Sequence, residues 1–472
     1  NYTITSNTFA ITQRVLSSSG SRLYDATSIA GSGDLTLSNL VGSQTLNLSG
    51  TGTIASKDVG SNKTVSVGTL ALADGSNGGL AANYTLSGGT HQLTVNQRPL
   101  NATLARQYDG TTEAAGSTLS AFDALQGGET LTLSGSGTAA SANVANGIAM
   151  SSNGNLALVN GTGAASNYSL NSTVINITKR VLNSSGSKTY DANTNALAAA
   201  ITLSNLVSGE ALNHSGTATI GSGNVGNYTI NNLTGISIAD GSGGAASNYT
   251  LTGGTHNFTV NRRVVSVQGS KTYDGNATIS TGNITSVTGT VGSQTLVISG
   301  GSGTVSSANV ATYSSAALNE GTLTLGNGAN GGLASNYTLT GHASSSFQIN
   351  QRVLNSSGSR IYDGSTTASS SDLTLSNLVG LEILTLSGNG TLANANVATN
   401  KSVTLNTLSI ADGSNGGLAA NYILAGGTHQ LSVTQRVLNA TGTRLYDAST
   451  NANSSDLSLG NLVGSETLVL SG

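Results

Sequence analysis

The stretch HQLTVNQRPLNATLARQYDG at residues 91–110 decides the fold of this chain. Leu93 and Val95 lie two residues apart among polar residues, which is the spacing of a half-buried β-strand. A short basic joint at Gln97 and Arg98 leads into a second segment that ends in a Tyr-Asp pair. No Gly/Ser-rich run separates the two segments, so we expect one strand to pass into the next without a flexible linker.

The Tyr-Asp pair that ends this stretch recurs along the whole chain. Successive tyrosines of the pair are 84, 82, 83, 89 and 84 residues apart. Self-similarity at a fixed period is the signature of a repeat architecture. The pairs are Tyr24-Asp25, Tyr108-Asp109, Tyr190-Asp191, Tyr273-Asp274, Tyr362-Asp363 and Tyr446-Asp447.

An Asn-Tyr pair recurs with nearly the same period, and the two kinds of pair together hold twelve of the 14 tyrosines. The tyrosines of the Asn-Tyr pairs are Tyr2, Tyr84, Tyr168, Tyr249, Tyr337 and Tyr422.

Basic residues also keep to fixed positions, and two positions hold 14 of the 17 Lys and Arg. The first position precedes each Tyr-Asp pair by two residues and is held by Arg22, Arg106, Lys188, Lys271, Arg360 and Arg444. The second position is the joint between repeats and is held by Arg14, Arg98, Lys179, Arg180, Arg262, Arg263, Arg352 and Arg436.

The period divides the chain into five full repeats and two fragments. Residues 1–14 correspond to the last strand of a preceding repeat, and residues 437–472 to the first half of a sixth repeat. We therefore expect the chain to be a window on a longer array. The predicted full repeats are 15–98, 99–180, 181–263, 264–352 and 353–436.

Each repeat has the pattern of a small all-β unit. Leu or Val pairs at i, i+2 alternate with clusters of Gly, Ser, Asn or Asp, and no stretch keeps a helical spacing over three turns. We predict about six or seven short strands per repeat, forming a small β-sandwich or β-grasp-like unit. In the fifth repeat we expect a hairpin around Gly380. Units joined without linkers favour an elongated rod, and the alternative is a parallel β-solenoid with about four coils per repeat.

The composition excludes several classes of protein. Charged residues make up 8% of the chain and the net charge is −3, so no basic field is present to hold a nucleic acid. Cys is absent, which excludes disulfides, Cys-based zinc sites and thiol nucleophiles. No apolar run reaches the roughly 18 residues that would cross a membrane. Because 37% of the residues are apolar and patterned, the 63 glycines indicate turns rather than disorder.

The Asp of the Tyr-Asp pair is the one carboxylate that every copy carries. Such an Asp suits a turn in which its carboxylate accepts backbone N–H groups, and the basic residue three positions earlier is placed to reach it. The alternative is a repeated ligand or metal contact. We expect the paired tyrosines to cap a core of Leu, Val, Ile and Ala, with the hydroxyl reaching a polar partner or water.

The Asp-containing loops could suggest a metal site, but the residues that they offer argue against a chemical function. The loops that begin at Asp74, Asp240 and Asp412 offer one carboxylate each, whereas calcium requires six or more oxygens. No nucleophile elbow or unique catalytic constellation is present. We predict no catalytic residue, no metal site and no cofactor, and hence no enzyme.

Histidines and glycosylation sequons also follow the repeat. One histidine per repeat does not form a metal cluster in an extended array, and these are His91, His256, His429 and, near the same position, His342. Asn-x-Ser/Thr sequons make glycosylation plausible, and they include Asn83, Asn248, Asn336 and Asn355.

The order of these motifs resembles a known family. KTYDGNATISTG at 271–282, LSNLVG at 37–42, NVATNKSVTLNTLSIADG at 396–413 and NYTLTGG at 248–254 together resemble the YDG repeat. This module and its MBG relatives occur in long bacterial surface exoproteins similar to filamentous haemagglutinin. The resemblance covers nearly the whole chain. It departs at the residue after Tyr-Asp, where Gly110, Gly275 and Gly364 alternate with Ala26, Ala192 and Ala448.

The resemblance implies a secreted, extracellular protein of the bacterial cell surface, exported by two-partner or similar secretion. We expect a non-catalytic stalk or fibre region of an adhesin that serves cell-surface attachment or biofilm formation, with neighbouring repeats as its partners. The alternatives are a self-assembling filament subunit, with like chains as partners, and a multivalent module that binds host or cell-surface glycans. Neither nucleic acid nor a membrane span is expected in this segment.

Overall fold

The structure is a computed structural model that describes residues 1–230 and 232–472. These residues form an all-β protein in which short strands are joined by loops and by 3₁₀ turns of three residues. They fall into two compact units. The first unit comprises Asn1–Gly186, Asn195–Ile220 and Thr229–Phe258, and the second comprises Ser187–Thr194, Gly221–Tyr228 and Thr259–Gly472.

The strands of the first two repeats all lie in the first unit. The first repeat contains β1 (Arg14–Val15), β2 (Ser17–Leu23), β3 (Ile29–Gly31), β4 (Leu35–Ser38), β5 (Leu46–Ser49), β6 (Thr51–Ile54), β7 (Gly60–Ser66), β8 (Ala71–Asp74), β9 (Tyr84–Thr85) and β10 (His91–Asn96). The second repeat contains β11 (Arg98–Gln107), β12 (Glu113–Ala115), β13 (Leu119–Phe122), β14 (Leu131–Ser134), β15 (Ser136–Ala139), β16 (Ala145–Ser152), β17 (Ala157–Asn160) and β18 (Tyr168–Thr178).

The third and fourth repeats follow the same order of strands. The third contains β19 (Arg180–Val181), β20 (Asn183–Thr189), β21 (Asn195–Leu197), β22 (Ile201–Ser204), β23 (Leu212–Thr219), β24 (Gly226–Thr229), β25 (Ile236–Asp240), β26 (Tyr249–Thr250) and β27 (His256–Asn261). The fourth contains β28 (Arg263–Val264), β29 (Ser266–Thr272), β30 (Thr278–Ser280), β31 (Ile284–Thr288), β32 (Leu296–Gly300), β33 (Ser302–Val305), β34 (Ala311–Ser314), β35 (Leu318–Asn319), β36 (Thr324–Asn327), β37 (Tyr337–Thr338) and β38 (Ser346–Asn350).

The fifth repeat and the sixth fragment complete the chain. The fifth contains β39 (Arg352–Val353), β40 (Asn355–Ile361), β41 (Thr367–Ser369), β42 (Leu373–Ser376), β43 (Thr385–Ser387), β44 (Asn389–Thr391), β45 (Ala398–Ser402), β46 (Ser409–Ala411), β47 (Tyr422–Ile423) and β48 (His429–Thr434). The fragment contains β49 (Asn439–Gly442) and β50 (Leu457–Gly460).

Short 3₁₀ turns punctuate every repeat. One kind leads into the strand that pairs antiparallel with the first long strand of the repeat, such as β4 or β42, and another ends at the Asn of the Asn-Tyr pair. Ser315–Ala317, before β35, belongs to neither kind. The 3₁₀ turns are Ser32–Asp34, Ala81–Asn83, Gly116–Thr118, Ala165–Asn167, Ala198–Ala200, Ala246–Asn248, Thr281–Asn283, Ser315–Ala317, Ala334–Asn336, Ser370–Asp372, Ala419–Asn421 and Ser454–Asp456.

The centre of a repeat is a parallel pair formed by the first long strand, here called the opening strand, and the last, called the closing strand. In the first repeat β2 and β10 pair in parallel over six residues, and β4 and β7 flank them antiparallel. The second, fourth and fifth repeats have the same parallel pair in β11·β18, β29·β38 and β40·β48. A parallel pair requires a long crossover, and here the rest of the repeat forms it. The chain therefore enters a repeat at one end of the pair and leaves at the other.

The prediction of an all-β tandem array with units of about 84 residues is confirmed. Because each unit closes on its own opening strand, the solenoid alternative is wrong. The number of strands is higher than the predicted six or seven, from eight in the second repeat to eleven in the fourth. The difference arises because two-residue bridges such as β39·β47 and short strands such as β43 and β44 count separately.

The expected hairpin around Gly380 is also wrong. β42 pairs with the opening strand β40, whereas β43 pairs with β46. The loop between β42 and β43 is fixed by two hydrogen bonds. The Val379 N–H donates to the Tyr422 hydroxyl, and Glu382 accepts from the hydroxyl of Tyr273 in the fourth repeat. The two strands thus pair with other strands of the same repeat, and the loop between them contacts both its own repeat and the preceding one.

Each joint between the five full repeats is one residue long, whereas residues 435–438 separate β48 from β49. Gln97 alone separates β10 from β11, and Gln351 alone separates β38 from β39. The first thirteen residues, assigned above to a preceding repeat, form no strand here, and that assignment stays a prediction. Among the described residues, no helix is long and apolar enough to cross a membrane.

Candidate functional site at the repeat junctions

The Tyr-Asp pair forms the corner at which the opening strand ends. In every copy the Asp carboxylate accepts the N–H of the residue two positions later, at 2.9–3.1 Å. The same carboxylate pairs with the Lys or Arg three positions earlier. That basic side chain also donates to the backbone carbonyl five positions after it. The Asp therefore has the role of a turn and ion-pair residue in this structure.

The residue after each Tyr-Asp pair has a left-handed backbone conformation. Its φ lies between +63° and +81°, whether the residue is Gly or Ala. An L-residue pays about 1–2 kcal/mol for this conformation, so the three alanine copies hold a strained corner. A Cβ at Gly275 would lie 2.8 Å from Cγ1 of Val379, which belongs to the next repeat. The glycine thus also permits a close approach between repeats.

The tyrosine of each Tyr-Asp pair meets the tyrosine of the Asn-Tyr pair of the following repeat. The two rings stand nearly perpendicular, with centroids 5.2–5.4 Å apart, which is a favourable edge-to-face geometry. Each of these tyrosines is at most 5% exposed. The four pairs are Tyr24 with Tyr168, Tyr108 with Tyr249, Tyr190 with Tyr337 and Tyr273 with Tyr422.

One carboxylate lies between the two hydroxyls in three of the four junctions. Each tyrosine donates to a different oxygen of the same glutamate, so both oxygens are occupied by charge-assisted bonds. The sets are Tyr24 and Tyr168 on Glu129 (2.6 and 2.8 Å), Tyr108 and Tyr249 on Glu210 (2.6 and 2.6 Å), and Tyr273 and Tyr422 on Glu382 (2.7 and 2.7 Å).

The fourth junction replaces the carboxylate by an amide. Gln294 Nε2 donates to the Tyr190 hydroxyl at 3.0 Å, and the Tyr337 hydroxyl donates to Gln294 Oε1. The same geometry is therefore built without a charge. At the junction of the first and second repeats the charge is compensated instead, because Lys57 Nζ lies 2.6 Å from Glu129.

Burial and these bonds shift the ionisation of the cluster. Burial and the bond to Glu210 raise the pKa of Tyr249 to about 12. Burial likewise raises the pKa of Tyr168 and of Tyr422 to about 12. Burial alone would raise the pKa of Glu129, but the bonds from Lys57 and the two tyrosines outweigh it and hold that pKa below its ordinary value. The junction around Glu129 thus favours an anionic carboxylate between two neutral phenols.

The Asn of the Asn-Tyr pair clamps the preceding repeat. Its Oδ1 accepts the backbone N–H of a valine 2.9 Å away, and its Nδ2 donates to the Asn or Asp that precedes this valine, at 2.9–3.0 Å. The clamping residues, each 1% exposed, are Asn167 on Val59, Asn248 on Val144, Asn336 on Val225 and Asn421 on Val310.

The joint arginine adds a third contact. Arg180 donates from Nε and Nη2 to the backbone and side-chain oxygens of Asn205, which has a φ of +68°. Its Nη1 lies 3.4 Å from the carbonyl oxygen of Tyr108 in the preceding repeat. Arg352 and Arg436 repeat both contacts. The second basic position therefore joins the corner of one repeat to a loop of the next.

The junction residues can be compared with their equivalents at the two ends of the described chain, where no complete repeat is described on one side. Asn83 of the first repeat, which has no complete repeat before it, is exposed and shows no side-chain hydrogen bond within the described chain. Tyr84 keeps the bond to the Glu/Gln position of its own repeat, here Gln44, just as Tyr168 bonds to Glu129, but no tyrosine of a preceding repeat among the described residues shares this partner. At the other end Tyr446 is 94% exposed, and the described residues include no later repeat that would cover it. Tyr2 of the first fragment is exposed as well.

The remaining candidate residues also have structural contacts. The Nδ1 of His91, His256 and His429 lies 2.8–2.9 Å from a buried serine hydroxyl of the opening strand, and Nε2 lies 2.8–2.9 Å from a backbone carbonyl oxygen. His342 pairs with Glu320 at 2.7 Å. Each histidine thus fastens a loop within its own repeat.

The Asp of each Gly-rich loop accepts the N–H that starts the following 3₁₀ turn, as Asp74 does from Ala81 at 2.7 Å. Asn160 and Asn327 make the same bond in other copies, so an amide oxygen serves as well as a carboxylate. No cluster of three or more His, Asp or Glu within residues 1–230 and 232–472 is placed to hold a metal. Glycosylation of Asn248 or Asn336 is incompatible with the folded junction, because both amides are buried and bonded.

Two parts of the junction were not predicted from the sequence. The Glu/Gln position that bonds to the tyrosines holds four of the six glutamates of the chain. Its members are Gln44, Glu129, Glu210, Gln294, Glu382 and Glu466. The Asn/Asp-Val pair that the buried Asn clamps also recurs once in each full repeat. It lies at 58–59, 143–144, 224–225, 309–310 and 396–397. Aligning the repeats residue by residue would have found both.

Comparison with known proteins agrees with this repeat structure. The crystal structure of Drosophila N-cadherin EC1-4 matches with 8% identity over 72% of this chain and 100% of that chain, but its TM-score of 0.12 carries no argument. No curated protein matches. The family profile of the YDG domain matches five times, at residues 10–94, 90–175, 177–256, 259–346 and 350–430. The chain therefore belongs to the YDG domain family, as a tandem array of five such domains.

Proposed function

We propose that this chain is a load-bearing, non-catalytic stalk or fibre region of a large secreted bacterial surface adhesin, acting in cell-surface attachment or biofilm formation. The observation that carries the proposal is the parallel pairing of opening and closing strands in repeats joined by one residue. A chain that enters at one end of this pair and leaves at the other transmits force through it.

The geometry of the pair suits a mechanical role. Tension applied to the two ends of a repeat pulls β2 and β10 along each other, so their hydrogen bonds are loaded together rather than one after another. The second repeat has the longest such pair, in which β11 and β18 match over ten residues. The junctions add polar contacts at the point where tension is transmitted from one repeat to the next.

The chemistry of the side chains supports the same proposal. In the complete junctions the repeated Tyr, Asp and Asn side chains, and one Lys or Arg at each basic position, bond to one another or to the backbone. A stalk needs such contacts repeated along its length, whereas an enzyme needs one site that differs from its surroundings. Extracellular location is part of the proposal and rests on the resemblance of the repeats to surface exoproteins.

Single-molecule pulling tests the mechanical part. The full chain should extend in successive events, each adding about 300 Å, the contour length of roughly 84 extended residues. Leu104→Asp, which places a charge in the buried centre of β11, should remove one event, and Thr103→Asp on the opposite, partly exposed face of that strand serves as its control. A featureless extension at low force would contradict the proposal.

Antibody labelling tests the location. Antibodies against this chain should label intact cells of the producing bacterium, and protease added outside should remove the signal. Labelling that appears only after lysis would contradict the extracellular part of the proposal while leaving the pulling result unaffected.

A further inference from the structure

The fourth repeat has a surface groove of about 490 Å³ between the loop that precedes β36 and the turn that follows β37. Its apolar lining includes Leu323 and Leu339, which are at most 9% exposed. Exposed polar side chains make up much of the remaining lining, namely Asn319, Thr324, Ser335 and Thr340. Proteins bind small molecules in clefts of about 300–1,000 Å³, so this groove has the size of a ligand site.

The third repeat has a groove of about 530 Å³ at the equivalent place. Backbone bonds align the two repeats here. The Leu323 N–H donates to the Glu320 carbonyl, and the Ile236 N–H donates to the carbonyl of its counterpart in the third repeat, Leu233. The lining residues of the third repeat that match the fourth are Leu233, Thr234, Ile236, Leu251 and Thr252. The fold therefore forms the groove in both repeats, but of these two grooves only that of the fourth repeat has Arg and Glu among its described lining residues.

Glu320 is one of only two glutamates of the chain outside the Glu/Gln position. Its side chain is 23% exposed and lines the groove, with Oε1 2.7 Å from Nε2 of His342. Because an ionised carboxylate only accepts, this nitrogen of the 7% exposed His342 side chain is the donor. Glu320 Oε2 has no hydrogen-bond partner among the described residues. The histidine thus holds the carboxylate by one oxygen, and the other oxygen can accept from a ligand.

Glu320 and His342 both differ from their counterparts in the other repeats. The residues whose carbonyl makes the same backbone bond as that of Glu320 are Val67, Asn153, Leu233 and Leu405. The His342 N–H bonds to the Leu339 carbonyl, and in three other repeats a glycine makes this bond, at Gly89, Gly254 and Gly427. Among the described repeats, a carboxylate and the imidazole that holds it therefore occur together at this place only in the fourth.

Arg262 adds a cation to the same groove. At three joints the equivalent residue is a glutamine whose Nε2 donates, at 3.1 Å, to the carbonyl of the second residue of a 3₁₀ turn, and these are Gln13, Gln97 and Gln351. Arg262 lines the groove together with Ser335, the second residue of the corresponding turn, but it has no hydrogen bond or ion pair among the described residues. Lys179 holds this position before the third repeat, and it does not line the groove of that repeat. The guanidinium of Arg262 is therefore available to an anionic group of a ligand.

We propose that the groove of the fourth repeat binds a saccharide unit that carries a carboxylate, such as a hexuronate. Arg262 donates two parallel N–H bonds to the ligand carboxylate, because the planar guanidinium matches the geometry of that group. Glu320 Oε2 accepts from a ring hydroxyl, and the Thr, Ser and Asn side chains of the lining donate to or accept from the other hydroxyls. The C–H face of the sugar ring packs on Leu323 and Leu339. One carboxylate and several hydroxyls on one ring thus match one cation, one anion and the polar lining.

Saturation-transfer NMR on the full chain tests the inference with two probes, methyl β-glucuronide and methyl β-glucoside. The probes differ only in the carboxylate, which is a hydroxymethyl group in the glucoside. The glucuronide should bind at least about tenfold more tightly, because a charge-assisted pair of hydrogen bonds is stronger than a neutral bond. Equal affinities, or no binding of the glucuronide at millimolar concentration, would overturn the inference.

Three variants locate the binding. Arg262→Gln introduces the residue that other joints carry, so the variant should fold, raise the Kd of the glucuronide about tenfold and remove the preference over the glucoside. Glu320→Leu, which copies Leu233 and Leu405, should weaken both sugars alike, because both have the hydroxyl that this carboxylate accepts. Lys179→Gln is the matched control at another joint and should leave both affinities unchanged. Glucuronide binding that is the same after Arg262→Gln would overturn the proposed site.

Competition with acetate distinguishes a saccharide from a carboxylate alone. Acetate carries the anionic group without the ring, so at equal concentration it should displace little of the glucuronide. Acetate that competes as well as the glucuronide itself would overturn the saccharide part of the inference. The inference goes beyond the stalk proposal, because a stalk requires no ligand, and its failure would leave the result of the pulling experiment unaffected.

Discussion

Replacing Asn248 by Ala is the sharpest test of the junction. Asn248 is 1% exposed, accepts the Val144 N–H at 2.9 Å and donates to Asn143 Oδ1 at 2.9 Å. Removing the amide leaves the Val144 N–H without its acceptor inside the junction. An unsatisfied donor of this kind costs about 1–3 kcal/mol, whereas the exposed Asn143 regains its bond from water. We therefore expect the junction to lose about 2 kcal/mol.

Amide hydrogen exchange measures this loss where it occurs. A multi-repeat chain does not unfold in one step, so a single melting temperature would average over all repeats. A loss of about 2 kcal/mol raises the local opening equilibrium roughly 30-fold. The Val144 amide should exchange faster by that factor in the Asn248→Ala variant. The amides of Val59 and Val310, which belong to other junctions, should keep their rates.

Asn83→Ala is the matched control. Asn83 occupies the same position of the first repeat, but it is exposed and has no complete repeat to clamp. Its replacement should change stability by less than about 0.5 kcal/mol. The reasoning is refuted if the two variants have equal effects, or if the Val144 amide exchanges no faster after Asn248 is removed.

Three further predictions follow from the buried polar groups. Glu129→Gln should weaken its junction by about 1–2 kcal/mol at pH 7 and make the stability of this junction less sensitive to acid. The bonds that Glu129 accepts hold its pKa below the ordinary value of 4.5, so the contribution of the carboxylate is present above pH 4.5 and is lost as the pH falls through the folded pKa. Exchange at the Gln126 amide would follow this loss. Tyr249→Phe should cost about 1–3 kcal/mol at neutral pH. Because the pKa of Tyr249 is raised from 10.0 to about 12 in the folded protein, the natural junction keeps this contribution below pH 10 and loses it as the pH rises to about 12. The variant should show no such loss in an alkaline unfolding series. Lys271→Met should weaken the fourth repeat by about 1–3 kcal/mol, because two backbone carbonyls lose the buried ammonium that donates to them, whereas the partly exposed Asp274 is solvated by water. Amide exchange in the fourth repeat would measure this loss. Lys179→Met at an exposed joint position should change stability by less than about 0.5 kcal/mol.

Much of the repeat could be predicted because it depends on local pattern. The period of the Tyr-Asp pairs sets the unit, and the alternation of residues such as Leu93 and Val95 sets the strand that carries the core. The bond between the Asp carboxylate and a nearby N–H depends on residues two positions apart. Interactions of this range leave a direct trace in the sequence.

The junction could not be predicted in the same way, because its partners are far apart and belong to different repeats. Tyr24 and Glu129 are separated by 105 residues. The carboxylate also escaped a search for invariant acids, since Gln294 replaces it in one junction and Gln44 in the first repeat. Either side chain offers an acceptor oxygen to a phenol, so the position is constrained by hydrogen bonding rather than by charge. The hairpin predicted around Gly380 is wrong for a related reason, because β42 and β43 pair with the more distant strands β40 and β46 and not with each other.

The burial of the tyrosines links the stability of each repeat to that of its neighbours. Tyr24 and Tyr273 are at most 4% exposed beneath the following repeat, whereas Tyr446, which occupies the same position without a complete neighbour, is 94% exposed. A unit of about 84 residues has a small core and is marginal by itself. Each junction buries large rings and pairs their hydroxyls with one carboxylate or amide. Folding is therefore expected to be cooperative along the array, with a repeat most stable when both neighbours are folded. Because the contacts are the same at each step, adding repeats lengthens such an array without requiring any new interaction.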